Sequence, residues 1–125
     1  MRFVMRVESR LQLGRDVPYW PGVYLLKNEV TGDTYVGSSR NMRIRMQGHW
    51  TAAQRGTGCP RLSESVQVHG WGAFTFSVLQ EVKMTADDWR TTCRRNALLG
   101  NAELKWMRKL LPTLNCVGRR RVRMI

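Results

Sequence analysis

The chain has 125 residues, 42% of them hydrophobic, and a formal net charge of +12 with a pI of about 11.0. These values fit one globular domain with a modest core and exclude a disordered chain. No apolar run is long enough to span a membrane, and so basic a balance points to a polyanionic partner, most often nucleic acid.

The N-terminus, MRFVMRVESRLQLGRD, lacks the uninterrupted apolar stretch of a secretory signal, and Glu8 and Asp16 argue against a transit peptide. Three widely spaced cysteines, Cys59, Cys93 and Cys116, suit reduced thiols rather than a disulfide framework. With no CxxC and only two histidines, a structural zinc site is not expected. The expected location is intracellular and cytoplasmic. Charge is unevenly placed. No acid lies between Asp33 and Glu64, where Arg40, Arg43, Arg45, Arg55 and Arg61 stand, and from Trp89 onward Glu103 faces ten basic residues. Two acid-free zones favour a phosphate-binding surface over a merely solvated one.

Taken in order, residues 1–20 form a basic arm, and the alternation of Phe3, Met5 and Val7 permits an edge strand. Pro18 and Pro21 bracket Tyr19-Trp20 and mark entry into the next element. Residues 22–37, GVYLLKNEVTGDTYVG, read as a β-hairpin: Val, Tyr and Thr favour strands, and Thr31-Gly32-Asp33 supplies the turn. Each strand carries a tyrosine, Tyr24 and Tyr35, which could simply pack the hairpin. Ser38, Ser39 or Asn41 can cap a helix running to about Arg55, with Met42, Met46, Trp50 and Ala53 as its apolar stripe. Arg45 and His49 lie four apart on it and project from one side. A short helix over 62–69 follows, then a strand from Phe74 to Val82 with one face buried. Thr85-Ala86-Asp87-Asp88 resembles a capping box opening a long helical region. Gly100 is read as the point where that region bends or splits, with a last helix over 101–111 stopped by Pro112. The chain ends in a basic tail, residues 117–125.

Glu103 does not fit the last helix as structure. Its neighbours at helical spacing are Leu99, Trp106, Met107 and Leu110, so a carboxylate lies on or beside the apolar stripe. It must be ion-paired, protonated or bound to a cation, because burying a bare carboxylate is costly. A partner arginine, or a position at the rim near Lys105 and Lys109, would satisfy it; a bound metal would too.

Two hairpin tyrosines, Arg45 and His49 on one helix face and a misplaced glutamate make a kit for phosphodiester hydrolysis. Glu103 would hold a divalent cation that polarises a phosphate oxygen. Arg45 would stabilise negative charge in the transition state. A tyrosine hydroxyl could orient or deprotonate the attacking water, needing a nearby cation because an ordinary phenol pKa is ~10. His49 is expected to have the ordinary histidine pKa for relaying that proton; a packing histidine is the plainer reading.

In this order the residues resemble the GIY-YIG nuclease family. The first motif reads Gly22-Val23-Tyr24 and the second Tyr35-Val36-Gly37, each with Val where the family name has Ile. Ser38, Arg45, His49, the HGWGAFTFSVLQEV segment, Glu103 in AELKWM and Asn115 follow at fitting spacing, so the resemblance covers residues 21–116. It implies an α+β fold, a three-stranded antiparallel sheet flanked by helices. It implies a DNA endonuclease with Tyr24, Tyr35, Arg45, His49 and Glu103 as catalytic residues and Mg²⁺ or Mn²⁺ held by Glu103. Which tyrosine assists the water stays open. Gly37, Ser38, Ser39, Arg40, Arg43 and Asn115 are assigned to nucleic-acid binding. The expected partner is double-stranded or branched DNA, with a homodimer or a larger nucleoprotein complex as further options and no membrane. The biological setting expected is a compact mobile-element, phage or microbial nuclease. The alternatives are a non-catalytic nucleic-acid-binding module and an accessory subunit of a nucleoprotein complex.

Overall fold

Four short segments build one antiparallel sheet in the computed structural model, which describes residues 4–115. The strands are β1 (Val4–Arg6), β2 (Gly22–Asn28), β3 (Thr34–Ser39) and β4 (Phe74–Glu81), in the order β1-β4-β2-β3. The hairpin β2–β3 pairs Tyr24 with Gly37 and Leu26 with Tyr35. Its turn is held by Asn28, whose side-chain oxygen accepts from Val30 N at 2.9 Å, while Gly32 takes the left-handed conformation at φ 81°. The sheet has one strand more than the family resemblance implied. β1 lies on the free edge of β4, Met5 opposite Phe76, and Val7 N donates to Phe74 O at 2.9 Å beyond it. An open edge presents unpaired backbone groups, and this strand covers them. Phe3, Cys116 and the basic tail lie outside the described residues.

Between β1 and β2 runs α1 (Arg10–Leu13), a single turn capped by Ser9 that the sequence pattern did not indicate. α2 (Met42–Arg55) starts at Asn41, whose side chain accepts from Ile44 N at 3.1 Å, and ends on left-handed Gly56. α3 (Pro60–His69) opens on proline, and a 3₁₀ turn at Trp71–Ala73 leads into β4. α4 (Ala86–Arg90) has the expected capping box between Thr85 and Asp88. The long helical region breaks at Thr91, where the backbone is extended, and α5 (Thr92–Leu110) then passes through Gly100 uninterrupted. A mid-helix glycine costs only about 1 kcal/mol relative to alanine, too little to end a helix whose other residues pack.

Strand alternation divides the core between the two faces of the sheet. Tyr24, Leu26, Tyr35, Phe74 and Phe76 pack with Met42, Met46 and Ala53 of α2 and with Leu62 and Val66 of α3. Val23, Val36, Leu79 and Val82 pack with Leu99 of α5, and Trp106 and Met107 lie against them. A bulge in β4 makes this possible: Tyr24 pairs with Val78 but Val23 with Gln80. No helix among the described residues is long and apolar enough to cross a membrane.

Candidate active site

β2, β3 and α2 bring four of the expected residues together. Tyr24 is wholly buried and Tyr35 is 7% exposed; their ring centroids are 6.5 Å apart. The His49 ring stands edge-on to both, at 5.9 Å from Tyr24 and 5.3 Å from Tyr35. The Tyr24 hydroxyl lies 2.7 Å from His49 Nε2. Arg45, one turn earlier on α2, faces both tyrosines, and its charge acts on each phenol. With His49 in its Nδ1–H tautomer, the Tyr24 hydroxyl donates to Nε2.

Electrostatics keep this group neutral apart from the arginine. Burial pushes the Tyr24 phenol well above its ordinary value, with Tyr35 adding to the rise and Arg45 opposing it. Burial likewise raises Tyr35 against the pull of Arg45. Partial burial alone would lower Arg45, but the two phenols it faces outweigh that and hold it above its usual value. His49 is lowered to about 3, by burial first and by the Arg45 charge second. The expectation of an ordinary histidine pKa is therefore corrected: His49 is neutral at physiological pH, because both its surroundings and its charged neighbour disfavour the imidazolium.

The glycine that closes the hairpin has a steric reason. A Cβ on Gly37 would lie 2.4 Å from the Tyr24 hydroxyl oxygen and 2.6 Å from Cζ, so only glycine lets this strand cross the phenol. Gly22 is equally constrained, since a Cβ there would come within 2.8 Å of Gln80 O and of the Met42 side chain.

Glu103 reaches the same edge of the sheet from the other side. It is half-buried on α5, and its Oε1 accepts from the Ser38 hydroxyl at 3.0 Å. Its charge acts on both phenols, raising each. Among the described residues no arginine or lysine forms an ion pair with it. A half-buried carboxylate met only by a neutral hydroxyl has the donor chemistry that a hard divalent cation takes up, with water completing the shell. No cluster of three or more His, Cys, Asp or Glu occurs among the described residues, so a metal here would rest on this one carboxylate.

Comparison with known proteins gives this arrangement a lineage. The model of the GIY-YIG catalytic domain matches residues 20–112. The chain belongs to the GIY-YIG family. Among solved structures it is similar to the catalytic domain of the homing endonuclease I-TevI, at 25% identity and a TM-score of 0.57, over 72% of this chain and 87% of that one. A glutamate-to-alanine mutant of the catalytic domain of intron endonuclease I-TevI aligns at 24% identity and a TM-score of 0.56, over 72% and 82%. None of the curated proteins compared matches the chain.

Within this GIY-YIG domain the residues assigned to nucleic-acid binding have different surroundings. Arg40 is exposed. Ser39 is engaged with Asn41, accepting from its N–H at 3.0 Å and donating to its carbonyl at 2.9 Å. Arg43 donates to Val17 O at 2.8 Å and Arg15 O at 3.2 Å, and its guanidinium lies over the Tyr19 ring. Asn115 behaves as a strand residue, its amide donating to Val36 O at 2.7 Å and accepting from Val36 N at 2.8 Å. It satisfies the outer edge of β3 and anchors the chain after α5. The Ser38–Glu103 bond was not indicated by sequence: the partners are 65 residues apart, and no spacing rule links them.

Proposed function

We propose that this GIY-YIG endonuclease hydrolyses DNA phosphodiester bonds with a divalent metal, Mg²⁺ or Mn²⁺, held by Glu103. Bound there, such an ion supplies Lewis-acid stabilisation of charge on the phosphate and the leaving oxygen. Arg45 stays charged and donates to the phosphate as negative charge grows. Tyr24 is the phenol with an outlet for its proton. The attacking water passes a proton to the Tyr24 oxygen with His49 Nε2 as a transient relay, the water oxygen bonds to phosphorus as the P–O bond to the leaving group breaks, and the proton passes on to the leaving oxygen, so no imidazolium persists beside Arg45. Tyr35 has no acceptor for its proton among the described residues, so it donates to a non-bridging phosphate oxygen. Ser38 orients the Glu103 carboxylate, and Asn115 holds the strand that carries Ser38.

The observation that carries this reading is the convergence of Tyr24, Tyr35, Arg45 and His49, with the Glu103 carboxylate, which has no ion pair among the described residues, acting on both phenols, in a family member of charge +12. The likeness to a homing endonuclease's catalytic domain supports a role in a mobile element. Phosphate contacts position a nuclease without reading sequence, so binding should be salt-sensitive and weakly selective.

Supercoiled plasmid incubated with Mg²⁺ or with EDTA, beside Glu103→Ala, tests the proposal. Metal-dependent nicking that falls about 1000-fold in the mutant is expected, equivalent to several kcal/mol of transition-state stabilisation. A mutant that cuts at nearly the wild-type rate would remove Glu103 from the mechanism. Plasmid shifted on a gel but never cut would favour the binding module.

A further inference from the structure

The family match begins at residue 20, so β1, α1 and the segment up to Tyr19 precede it. That segment is not loosely attached: Val7, Leu13 and Val17 are each 0% exposed in the core. It ends in two large aromatic side chains facing solvent, Tyr19 at 61% and Trp20 at 40% exposed. The pair is fixed from several sides. The rings meet edge to face at 5.6 Å, and Arg43 lies 5.3 Å from the Tyr19 centroid while its guanidinium donates to the backbone of Val17 and Arg15. Met42 N donates to Trp20 O at 3.5 Å, and Pro18 and Pro21 restrict the backbone on either side.

We propose that Tyr19 and Trp20 form a stacking platform for an unpaired base of the substrate, close to the scissile phosphate. The inference rests on the nuclease reading above and narrows its substrate class to DNA with unpaired nucleotides beside the cut. Exposed aromatic rings set among arginines are the means by which proteins hold unpaired bases: the ring stacks, and the cations follow the backbone. Arg43 lies over the Tyr19 ring, Arg15 and Arg40 are close in sequence on either side, and the adjacent acid, Asp16, is engaged with Arg15 at 3.2 Å. A platform already rigid in the free protein loses little conformational entropy when a base lands on it.

Position ties it to the site. Trp20 stands two residues before Gly22, which pairs with Ser39, in the register that sets Val23 against Ser38 and Tyr24 against Gly37. At ~3.3 Å per residue the backbone from Trp20 to Tyr24 spans at most about 13 Å, roughly four stacked nucleotide steps at ~3.4 Å. Bases inside an intact duplex keep their faces within the stack, so an unpaired or extruded base is the partner that fits.

The test uses the full chain in EDTA, where cleavage is silent, and fluorescence anisotropy with two labelled DNAs: a fully paired duplex and the same duplex carrying a short unpaired gap. Wild type should prefer the gapped DNA. Tyr19→Ala with Trp20→Ala should weaken gapped-DNA binding roughly 5- to 150-fold per base lost from the stack and duplex binding less than about twofold. Trp20→Phe should restore most of the preference. Both DNAs are read on one preparation, so an unfolded fraction weakens both equally and leaves the ratio intact. A wild type without preference, equal loss on both DNAs, or no loss on either overturns the platform. So does loss confined to binding of anionic phospholipid vesicles, which would make the pair a membrane contact. Failure of the nuclease reading shows separately, as plasmid left uncut with Mg²⁺.

Discussion

On the α2 face of the sheet the polar groups of the site crowd against one another, whereas on the α5 face the Glu103 carboxylate meets, among the described residues, a single hydroxyl. Arg45 faces two phenols, Tyr24 bonds His49, and Gly37 presses on the Tyr24 ring with no atom to spare. Glu103 has Ser38 and no ion pair among the described residues. The first half is buried and interlocked, as suits groups that move a proton over a fixed distance. The second half keeps free coordination capacity. The contrast predicts that changes on the α2 face disturb chemistry and folding together, while changes on α5 separate them.

The largest effect that tests this contrast belongs to Arg45. Arg45→Ala removes the cation that faces both phenols among the described residues, and cleavage should fall about 10²- to 10³-fold, the usual loss for one preorganised donor to a developing anion. Binding to DNA in EDTA should weaken far less. If binding and cleavage fall in the same proportion, Arg45 is only a phosphate anchor. Next comes Gly37→Ala. Its methyl group would sit 2.4 Å from the hydroxyl of a phenol that is 0% exposed, so the ring has nowhere to move. Overpacking of this kind costs about 1–3 kcal/mol. Chemical denaturation should register that loss, with a fall in plasmid nicking beside it. A stable, active Gly37→Ala would mean that the α2 face is looser than its contacts.

How far the sequence revealed these halves follows the range of the interactions involved. The hairpin, a helix cap among Ser38, Ser39 and Asn41, the Thr85–Asp88 capping box and the oddity of Glu103 on an apolar stripe are local patterns, and local spacing is enough to read them. The family resemblance then grouped Tyr24, Tyr35, Arg45, His49 and Glu103. β1 was harder to read, because three residues at a sheet edge carry little periodicity and owe their state to the free edge of β4. Gly100 was misread as a break because propensity alone ignores the packing of Leu99 and Met107 that carries α5 through it. Ser38–Glu103 and the backbone duties of Arg43 and Asn115 span long sequence separations, and the neutrality of His49 depends on burial, which no local pattern encodes.

That neutrality has a smaller but directional consequence. His49 binds its proton at about 3 when folded and at about 6.5 when unfolded. Between those values the unfolded chain holds a proton that the native state does not, so unfolding free energy rises with pH. Stability from this group is complete above about pH 6.5 and is lost as pH falls toward 3, with a slope approaching ~1.4 kcal/mol per pH unit. Asp88, held low by its hydrogen bonds from Thr85, loses its contribution only on titrating through the carboxylate range, below the window of about pH 5 to 6.5. Urea denaturation across that window should show the slope in the wild type and a flatter profile in His49→Gln. A wild-type profile without the slope would mean that His49 is protonated in the native state, and the Tyr24 proton would have no acceptor.

The smallest expected effect lies on α5, where the contrast predicts that folding and chemistry come apart. Gly100 sits in the helix interior one turn before Glu103, and no heavy atom lies within 4 Å of where its Cβ would be. Gly100→Ala should therefore stabilise the fold by about 0.5–1 kcal/mol, through helix propensity and a less flexible unfolded chain. Cleavage should stay within about twofold, because Ser38 fixes the carboxylate from the β3 side and the added methyl touches neither partner. A higher melting temperature with an unchanged nicking rate would show that the α5 half tolerates change as the α2 half does not. A higher melting temperature with a slower rate would carry a different lesson. The methyl would then obstruct something outside the chain, and the DNA would have to pass against the α5 backbone on its way to Glu103.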